Sequence, residues 1–297
     1  MGLTIHHSQQ TEGELGIRDV SRLLEQVRQR AMDLPFHKVD DKLFDLSGDE
    51  CDIAKMTPEQ RKGLDDCISW VLTGVYGSYE IARREYQLGP NSKSVSIQSI
   101  DYPPKRVLGF SVLVAPGCEP LNFWLAQYPK TVRYELKAFP WRNRTYRTGK
   151  VGWSGRGFCK TQYASDPECG GLQNFLRAHI SVITLLEFAQ SLPGLKVEIN
   201  DEGRYGTSYY TDDWKVPEPV YTWHPATHDV ALLAKESESW DQFIAAGAGA
   251  FKDAVQAAGG DPSQLISAID SRPDREHLEA KGVEAMPEIR TNLGLEA

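Results

Sequence analysis

A basic and aromatic segment between residues 130 and 163, called the island below, has the residue types best suited to chemistry. It holds nine basic residues and one acidic residue, a charge of +8, in a chain of net charge −8, so the remainder carries −16. The basic residues are Lys130, Arg133, Lys137, Arg142, Arg144, Arg147, Lys150, Arg156 and Lys160. Cations neutralise phosphates and aromatic rings stack on bases, so the composition favours a nucleic acid or a nucleotide as partner. The alternative is an ordinary antiparallel hairpin with solvated Lys and Arg on its outer face.

Nine residues of the island are the predicted binding residues. Six would contact phosphates through their charge: Arg142, Arg144, Arg147, Lys150, Arg156 and Lys160. Three would stack through their rings: Trp141, Tyr146 and Trp153. The glycines between residues 149 and 157 would let backbone N–H groups approach a ligand closely. Such glycines are equally typical of a twisted strand with close crossings.

A second hypothesis is an enzyme, a hydrolase or transferase acting on an anionic substrate. Its site would lie between the glycine-rich segment 149–163, His179 and the acidic end of a predicted strand. The candidate catalytic residues are Lys160, His179, Glu198, Asp201 and Glu202. His179 could lower the pKa of the Cys159 thiol, and the carboxylates could act as general bases. A histidine among Leu and Ile is more often a core residue, however, and acids beside a turn are more often solvated, so we favour these structural interpretations.

The remaining His and Cys residues indicate neither a metal site nor a disulfide framework. Pro225 interrupts the segment that holds His224, His228 and Asp229, so these side chains cannot share one face of a helix. The five cysteines are an odd number without a CxxC pair. We therefore predict no metal ligands, and nothing in the sequence identifies a cofactor.

Composition and hydropathy bound the class of protein. Hydrophobic residues make up 40% of the 297-residue chain, which excludes wholesale disorder. No apolar run approaches the 18 or so residues of a membrane span, and the first residues lack the pattern of a secretory signal. We expect a cytoplasmic protein without a membrane partner. A third hypothesis is an oligomeric structural or interaction protein that uses a long helix over 229–258.

Periodicity predicts the helices that would position these residues. Apolar residues at steps of three and four predict a helix from Leu15 to Ala31, after a polar and frayed N-terminus over 1–13. Residues 33–55 have little periodicity and predict an irregular connection with at most one short strand. Thr57, Pro58 and Gln60 form a helix start, and the predicted helix continues to Glu85. A helix over 171–192 is apolar nearly all round and is therefore predicted to be central and buried.

Short segments rich in Val, Ile and aromatic residues predict successive antiparallel strands. They cover residues 95–100, 107–115, 122–127, 131–139, 150–159 and 195–200. Blocks of strands and helices that do not alternate predict an α+β fold: an antiparallel sheet of about five to six strands packed against a central buried helix and flanking long helices. We divide the chain into an N-terminal helix and connection (1–56), one α+β core domain (57–260) and a charged C-terminal tail (261–297).

Overall fold

A computed structural model describes residues 3–89, 92–134, 144–211, 216 and 219–261 of the chain. The architecture is α+β, as predicted, with helices packed against a main antiparallel sheet of seven strands. Trp141, Arg142 and the tail beyond Asp261 lie outside the described residues.

The described strands belong to one main sheet and three hairpins. The strands are β1 (Thr4–Thr11), β2 (Lys38–Val39), β3 (Phe44–Ser47), β4 (Gly77–Gly89), β5 (Ser92–Tyr102), β6 (Arg106–Leu113), β7 (Leu121–Gln127), β8 (Thr131–Tyr134), β9 (Arg144–Arg147), β10 (Trp153–Lys160), β11 (Leu195–Asp201), β12 (Ser208–Tyr210) and β13 (Thr222–His224). The main sheet has the order β11-β1-β10-β7-β6-β2, and β3 also pairs with β6. The separate hairpins are β4–β5, β8–β9 and β12–β13.

The described helices are α1 (Ile17–Met32), α2 (Pro58–Lys62), α3 (Asp66–Gly74), α4 (Gly171–Gln190) and α5 (Val230–Ala257). Short 3₁₀ helices cover Gly48–Cys51, Gln162–Ser165 and Pro167–Cys169. No helix among the residues described is both long and apolar enough to cross a membrane.

The prediction of a frayed N-terminus is wrong, because residues 4–11 form the strand β1 inside the main sheet. β1 pairs along its length with β10 on one side and with β11 on the other. Alternate residues of a strand point to opposite faces, so Ile5, His7 and Gln9 face the core while His6 and Ser8 face the other side. The core-facing side of β1 is itself partly polar, and for this reason the usual alternation of apolar and polar residues is missing from the sequence.

One face of the main sheet is covered by α1 and α4, and α4 is central, as predicted. Val20 and Leu24 of α1 and Ile183 and Leu186 of α4 are fully buried in one cluster with the sheet. Burying each such side chain stabilises the fold by about 1.5–3 kcal/mol. The helix α5 packs on α4 through Leu233, which also agrees with the sequence prediction.

The helix predicted from Thr57 to Glu85 begins where expected but is far shorter. Thr57 and Gln60 form the predicted capping box at the start of α2. That helix ends at Lys62, and Asp65 caps a second short helix, α3, whose last residue is Gly74. The chain then continues as β4 of a long hairpin. Val75 caps the end of α3, and Tyr79 lies in the strand β4 and not in a continued helix. Over so few residues, the spacing of apolar residues does not distinguish a helix from a strand.

The opposite face of the sheet is covered only in part. Val71 and Leu72 of α3 pack against Val107 and Trp124 of β6 and β7. None of the described helices covers the same face of β11, β1 and β10. Side chains on this face of β11, β1 and β10 are thus left accessible, and the candidate site lies there.

Candidate functional site

Three adjacent strands present rows of polar side chains on the accessible face of the sheet. In the central row Ser8 stands between Arg156 and Glu198. The flanking rows are Phe158, His6 and Asn200 on one side and Ser154, Gln10 and Lys196 on the other. Because β1, β10 and β11 are far apart in the sequence, only the register of the sheet creates these rows.

Two adjoining cavities of about 480 and 380 Å³ follow this face, and we call them together the groove. The two cavities share Ser8, Trp124, Arg156 and Glu198. Each volume falls within the range of about 300–1,000 Å³ that is usual for small-molecule sites.

Aromatic rings line the larger cavity of the groove. Trp70 and Trp223 are 56% and 54% exposed, and Phe158 is also exposed. The rings of Trp70 and Phe158 meet edge to face, with their centroids 6.0 Å apart. Tryptophan is mostly buried in folded proteins, so two half-exposed indoles beside one cavity indicate a surface that meets a ligand.

Basic side chains line the smaller cavity. Arg156 is exposed and makes no hydrogen bond or ion pair with any residue that the structure describes. The Lys150 ammonium lies over the Tyr128 ring, 5.6 Å from its centroid, and Lys196 pairs with Glu198 at 3.0 Å. Three basic side chains against one acidic side chain make this part of the groove attractive to an anion.

The strands β10 and β7 form register pairs at one end only, although they stay close to each other beyond that end. Their register pairs are Trp153 with Gln127 and Ser154 with Ala126. Beyond this point a Cβ at Gly155 would collide with the Trp124 carbonyl oxygen. That carbonyl accepts instead from Gln9 Nε2 at 2.7 Å. A side chain of β1 therefore completes the hydrogen bonding where the ladder stops.

His7 is paired with Gly157 of β10, beyond the end of this ladder, and also lines the larger cavity. Its side chain is stacked on Phe123, with the ring centroids 5.9 Å apart, and the residue is 4% exposed. Burial lowers the pKa of His7 to about 4, with the neighbouring His6 adding to this effect and the hydrogen bond to Gln9 opposing it. His7 is therefore uncharged at neutral pH.

His179 lies in the core, on the other side of the sheet from the groove, and is 0% exposed. Its Nε2 donates to Asp201 Oδ1 at 2.9 Å, and its Nδ1 lies 2.8 Å from Thr161 Oγ1. Although burial alone would raise the pKa of Asp201, His179 and backbone N–H donors hold it below its usual value. Since no solvent reaches the three side chains, the arrangement anchors β11 to α4 and to the turn after it.

Asp201 is the catalytic candidate that binds His179, and Lys160, Glu198 and Glu202 have other partners. Cys159 donates to the Glu119 carbonyl oxygen at 3.2 Å, and burial raises the pKa of its thiol well above the usual value. Glu202 accepts from the Thr4 backbone N–H at 2.9 Å. The Lys160 ammonium lies over a tyrosine ring, 4.9 Å from its centroid. Of the five candidates, Glu198 is the one that lines the groove.

The island does not form one surface either. Arg144 and Arg147 belong to the separate hairpin β8–β9 and, three residues apart in a strand, point to opposite faces. The ring of Tyr146 packs against that of Tyr79, with the centroids 5.1 Å apart. Trp153 is buried and donates from Nε1 to the Leu15 carbonyl oxygen, so its ring is not available to stack on a ligand. Of the predicted binding residues that the structure describes, Lys150 and Arg156 line the groove.

The groove also contains residues that sequence reasoning missed. The sequence predicts a frayed terminus at Ser8 and Gln10. It predicts ordinary helix and strand positions for Trp70 and Asn122. One signal was present in the sequence: Gly155 and Gly157 are spaced so that both face the same side of a strand. In a sheet, such a pair leaves room for two large side chains on the neighbouring strand, here His7 and Gln9.

No cluster of three or more His, Cys, Asp or Glu side chains able to hold a metal ion is found within the described ranges. Compared with protein-family models, with curated proteins and with solved structures, the chain matches none of them.

Proposed function

We propose that this protein binds a phosphate-bearing partner, a nucleotide or a nucleotide unit of a nucleic acid, in the groove. The observation that carries the proposal is Arg156, an exposed residue whose guanidinium has no partner in the described part of the chain and lies where an aromatic cavity meets a basic cavity. The partner class is the one that the composition of the island predicts, but the proposed binding surface is the groove and not the island.

The phosphate would be held at the basic cavity. An arginine offers several N–H donors in a plane that matches two oxygens of a phosphate. Arg156 has its donors free for this contact, whereas Lys196 already pairs with Glu198. Lys150 adds charge from the far end of the cavity. The phosphate contact therefore depends most on Arg156.

A planar base would be held at the aromatic cavity. Trp70, Phe158 and Trp223 present ring faces or edges to it. Stacking of a base on an aromatic ring contributes about 1–3 kcal/mol and tolerates any base. Ser8 and Glu198 line both cavities and offer a hydroxyl and a carboxylate to the sugar hydroxyls. The groove thus matches the phosphate, sugar and base of one nucleotide.

The size of the groove favours a single nucleotide or one unit of a strand over a duplex. Five strands line each cavity: β1, β7, β10 and β11 in both, with β13 in the larger cavity and β4 in the smaller one. A duplex would need a broad basic surface, whereas the described basic residues of the island are spread over the β8–β9 hairpin, β10 and the segments that flank these strands. A possible homo-oligomer through α5 stays a prediction, as does the enzyme hypothesis, which in this structure would have to use Glu198.

Replacement of Arg156 by alanine tests the proposal. Binding of ATP and of a short single-stranded oligonucleotide is measured by isothermal titration calorimetry and by quenching of tryptophan fluorescence. Because a charged hydrogen bond contributes about 1.5–3 kcal/mol, Arg156→Ala should weaken binding about 10- to 100-fold. Affinity of the unaltered protein should fall as the salt concentration rises.

The matched control is Arg147→Ala, which removes an exposed arginine of the same island outside the groove. It should leave the affinity for ATP unchanged. Equal effects of the two substitutions, or no binding of either probe at low salt, would contradict the proposal.

A further inference from the structure

His7 has a buried nitrogen at the floor of the groove that has no partner among the residues described. The atom is Nε2, of which less than 1 Å² is accessible. Buried polar groups in folded proteins are nearly always hydrogen-bonded, because an unpaired one costs free energy. An unpaired group that lines a cavity therefore points to a role for that cavity.

The hydrogen bonds around His7 define what its Nε2 can do. Gln9 Nε2 donates to the Trp124 carbonyl oxygen, and this contact orients the Gln9 amide. Gln9 Oε1 must then accept, at 2.8 Å, from the Nδ1–H of His7. A neutral imidazole carries one proton only, so the Nε2 of His7 is left as an acceptor. The low pKa of His7 keeps the ring in this form at neutral pH.

The space beside this acceptor exists because residue 157 is glycine. A Cβ at Gly157 would lie 2.7 Å from His7 Nε2 and 3.1 Å from the Asn122 carbonyl oxygen. The Asn122 side chain lines the same cavity. Its Oδ1 accepts from Ser111 Oγ at 2.7 Å, and its amide nitrogen has no partner among the residues described. The floor of the aromatic cavity therefore offers an acceptor beside a donor.

We propose that His7 is a specificity-determining residue of the groove, whose Nε2 accepts a hydrogen bond from an N–H or O–H group on the ring edge of the ligand. Asn122 donates to an acceptor on the same edge. This inference rests on the proposed function and deepens it, since it makes the groove select for a base and not only for a phosphate. Each of the four common nucleobases carries an N–H donor beside an acceptor on its edge, as the amino group and ring nitrogen of adenine show.

The test compares ligands with and without a donor on the ring. The probes are the four common ribonucleoside 5′-monophosphates, purine riboside 5′-monophosphate and ribose 5-phosphate. The last two lack a base-edge donor. His7→Phe keeps a ring against Phe123 and removes the acceptor. It should weaken binding of the four common nucleotides about tenfold, the effect of one hydrogen bond, and leave binding of the two donor-free probes unchanged.

The control variant is His37→Phe, which alters an exposed histidine outside the groove and should not change any affinity. If His7→Phe weakens all probes equally, or none, the inference fails while the proposed function stands. If the unaltered protein binds none of the probes, both fail together.

A measurement on the unaltered protein keeps the inference testable even if the variant does not fold. The ¹⁵N resonance of His7 Nε2 reports whether this nitrogen accepts a hydrogen bond. Saturation with the tightest-binding nucleotide should shift that resonance, and saturation with ribose 5-phosphate should not. An unchanged resonance on saturation with the nucleotide would overturn the inference.

Discussion

Lowering the pH from about 7 to about 4.5 is expected to destabilise the protein through His7. The ring is buried and uncharged in the folded protein, where its pKa lies near 4 in place of the ordinary 6.5. In the unfolded chain the ring takes up a proton as the pH falls below 6.5, and in the folded protein it does not do so until about 4. Between these two pKa values the unfolded state therefore binds more protons than the folded state, and the free energy of unfolding decreases as the pH is lowered.

The two pKa values determine the size of the effect. One pKa unit corresponds to about 1.4 kcal/mol, so a difference of about 2.5 units contributes about 3 kcal/mol when fully expressed. At pH 4.5 roughly 2.5 kcal/mol of it would be lost, against about 5–15 kcal/mol for the total stability of a typical domain. The stability that is lost through His7 on acidification is fully present above pH 6.5, where the ring is neutral in both states.

Urea unfolding at a series of pH values measures this effect. Carboxylates also titrate toward pH 4, so the quantity of interest is the difference between the protein and His7→Phe, in which only the His7 contribution is absent. The free energy of unfolding of the unaltered protein should decline more steeply between pH 6.5 and 4.5 than that of the variant. Parallel pH profiles would show that His7 is charged or solvated in the folded protein, and would refute the reasoning.

Two further predictions concern the core. Asp201→Asn should lower the free energy of unfolding by about 3–5 kcal/mol, because in either orientation the amide NH₂ faces N–H groups from which the carboxylate accepts hydrogen bonds. The control Asp41→Asn, at an exposed site, should lower it by less than about 0.5 kcal/mol. Equal midpoints of urea unfolding for the two variants would contradict this account. Ile183→Asp should prevent folding, because it places a charge at a fully buried position of α4. Arg177→Asp, on the exposed side of the same helix, should retain the circular dichroism spectrum of the folded protein. A folded Ile183→Asp protein would mean that α4 is not central.

Local signals in the sequence were sufficient for the elements whose physics is local. The start of α2 follows from a Thr-Pro-x-Gln pattern, because capping depends on side chains three residues apart. The central position of α4 follows from its apolar circumference, and Asp229 marks the start of α5. The strands β6, β7 and β11 were also predicted near their observed bounds, since their residues alternate or are uniformly apolar.

The groove, by contrast, was decided by the tertiary structure. Ser8, Arg156 and Glu198 come from three separate strands, and Ser8 and Glu198 are 190 residues apart. Only the register of β1 between β10 and β11 makes the three residues neighbours. β1 itself escaped prediction because its core-facing His7 and Gln9 are polar and are satisfied by contacts with distant residues. The charge of the island was visible in the sequence, but charge does not determine which face of which sheet a side chain will occupy. That is decided by pairing between strands, which no local pattern in the chain encodes.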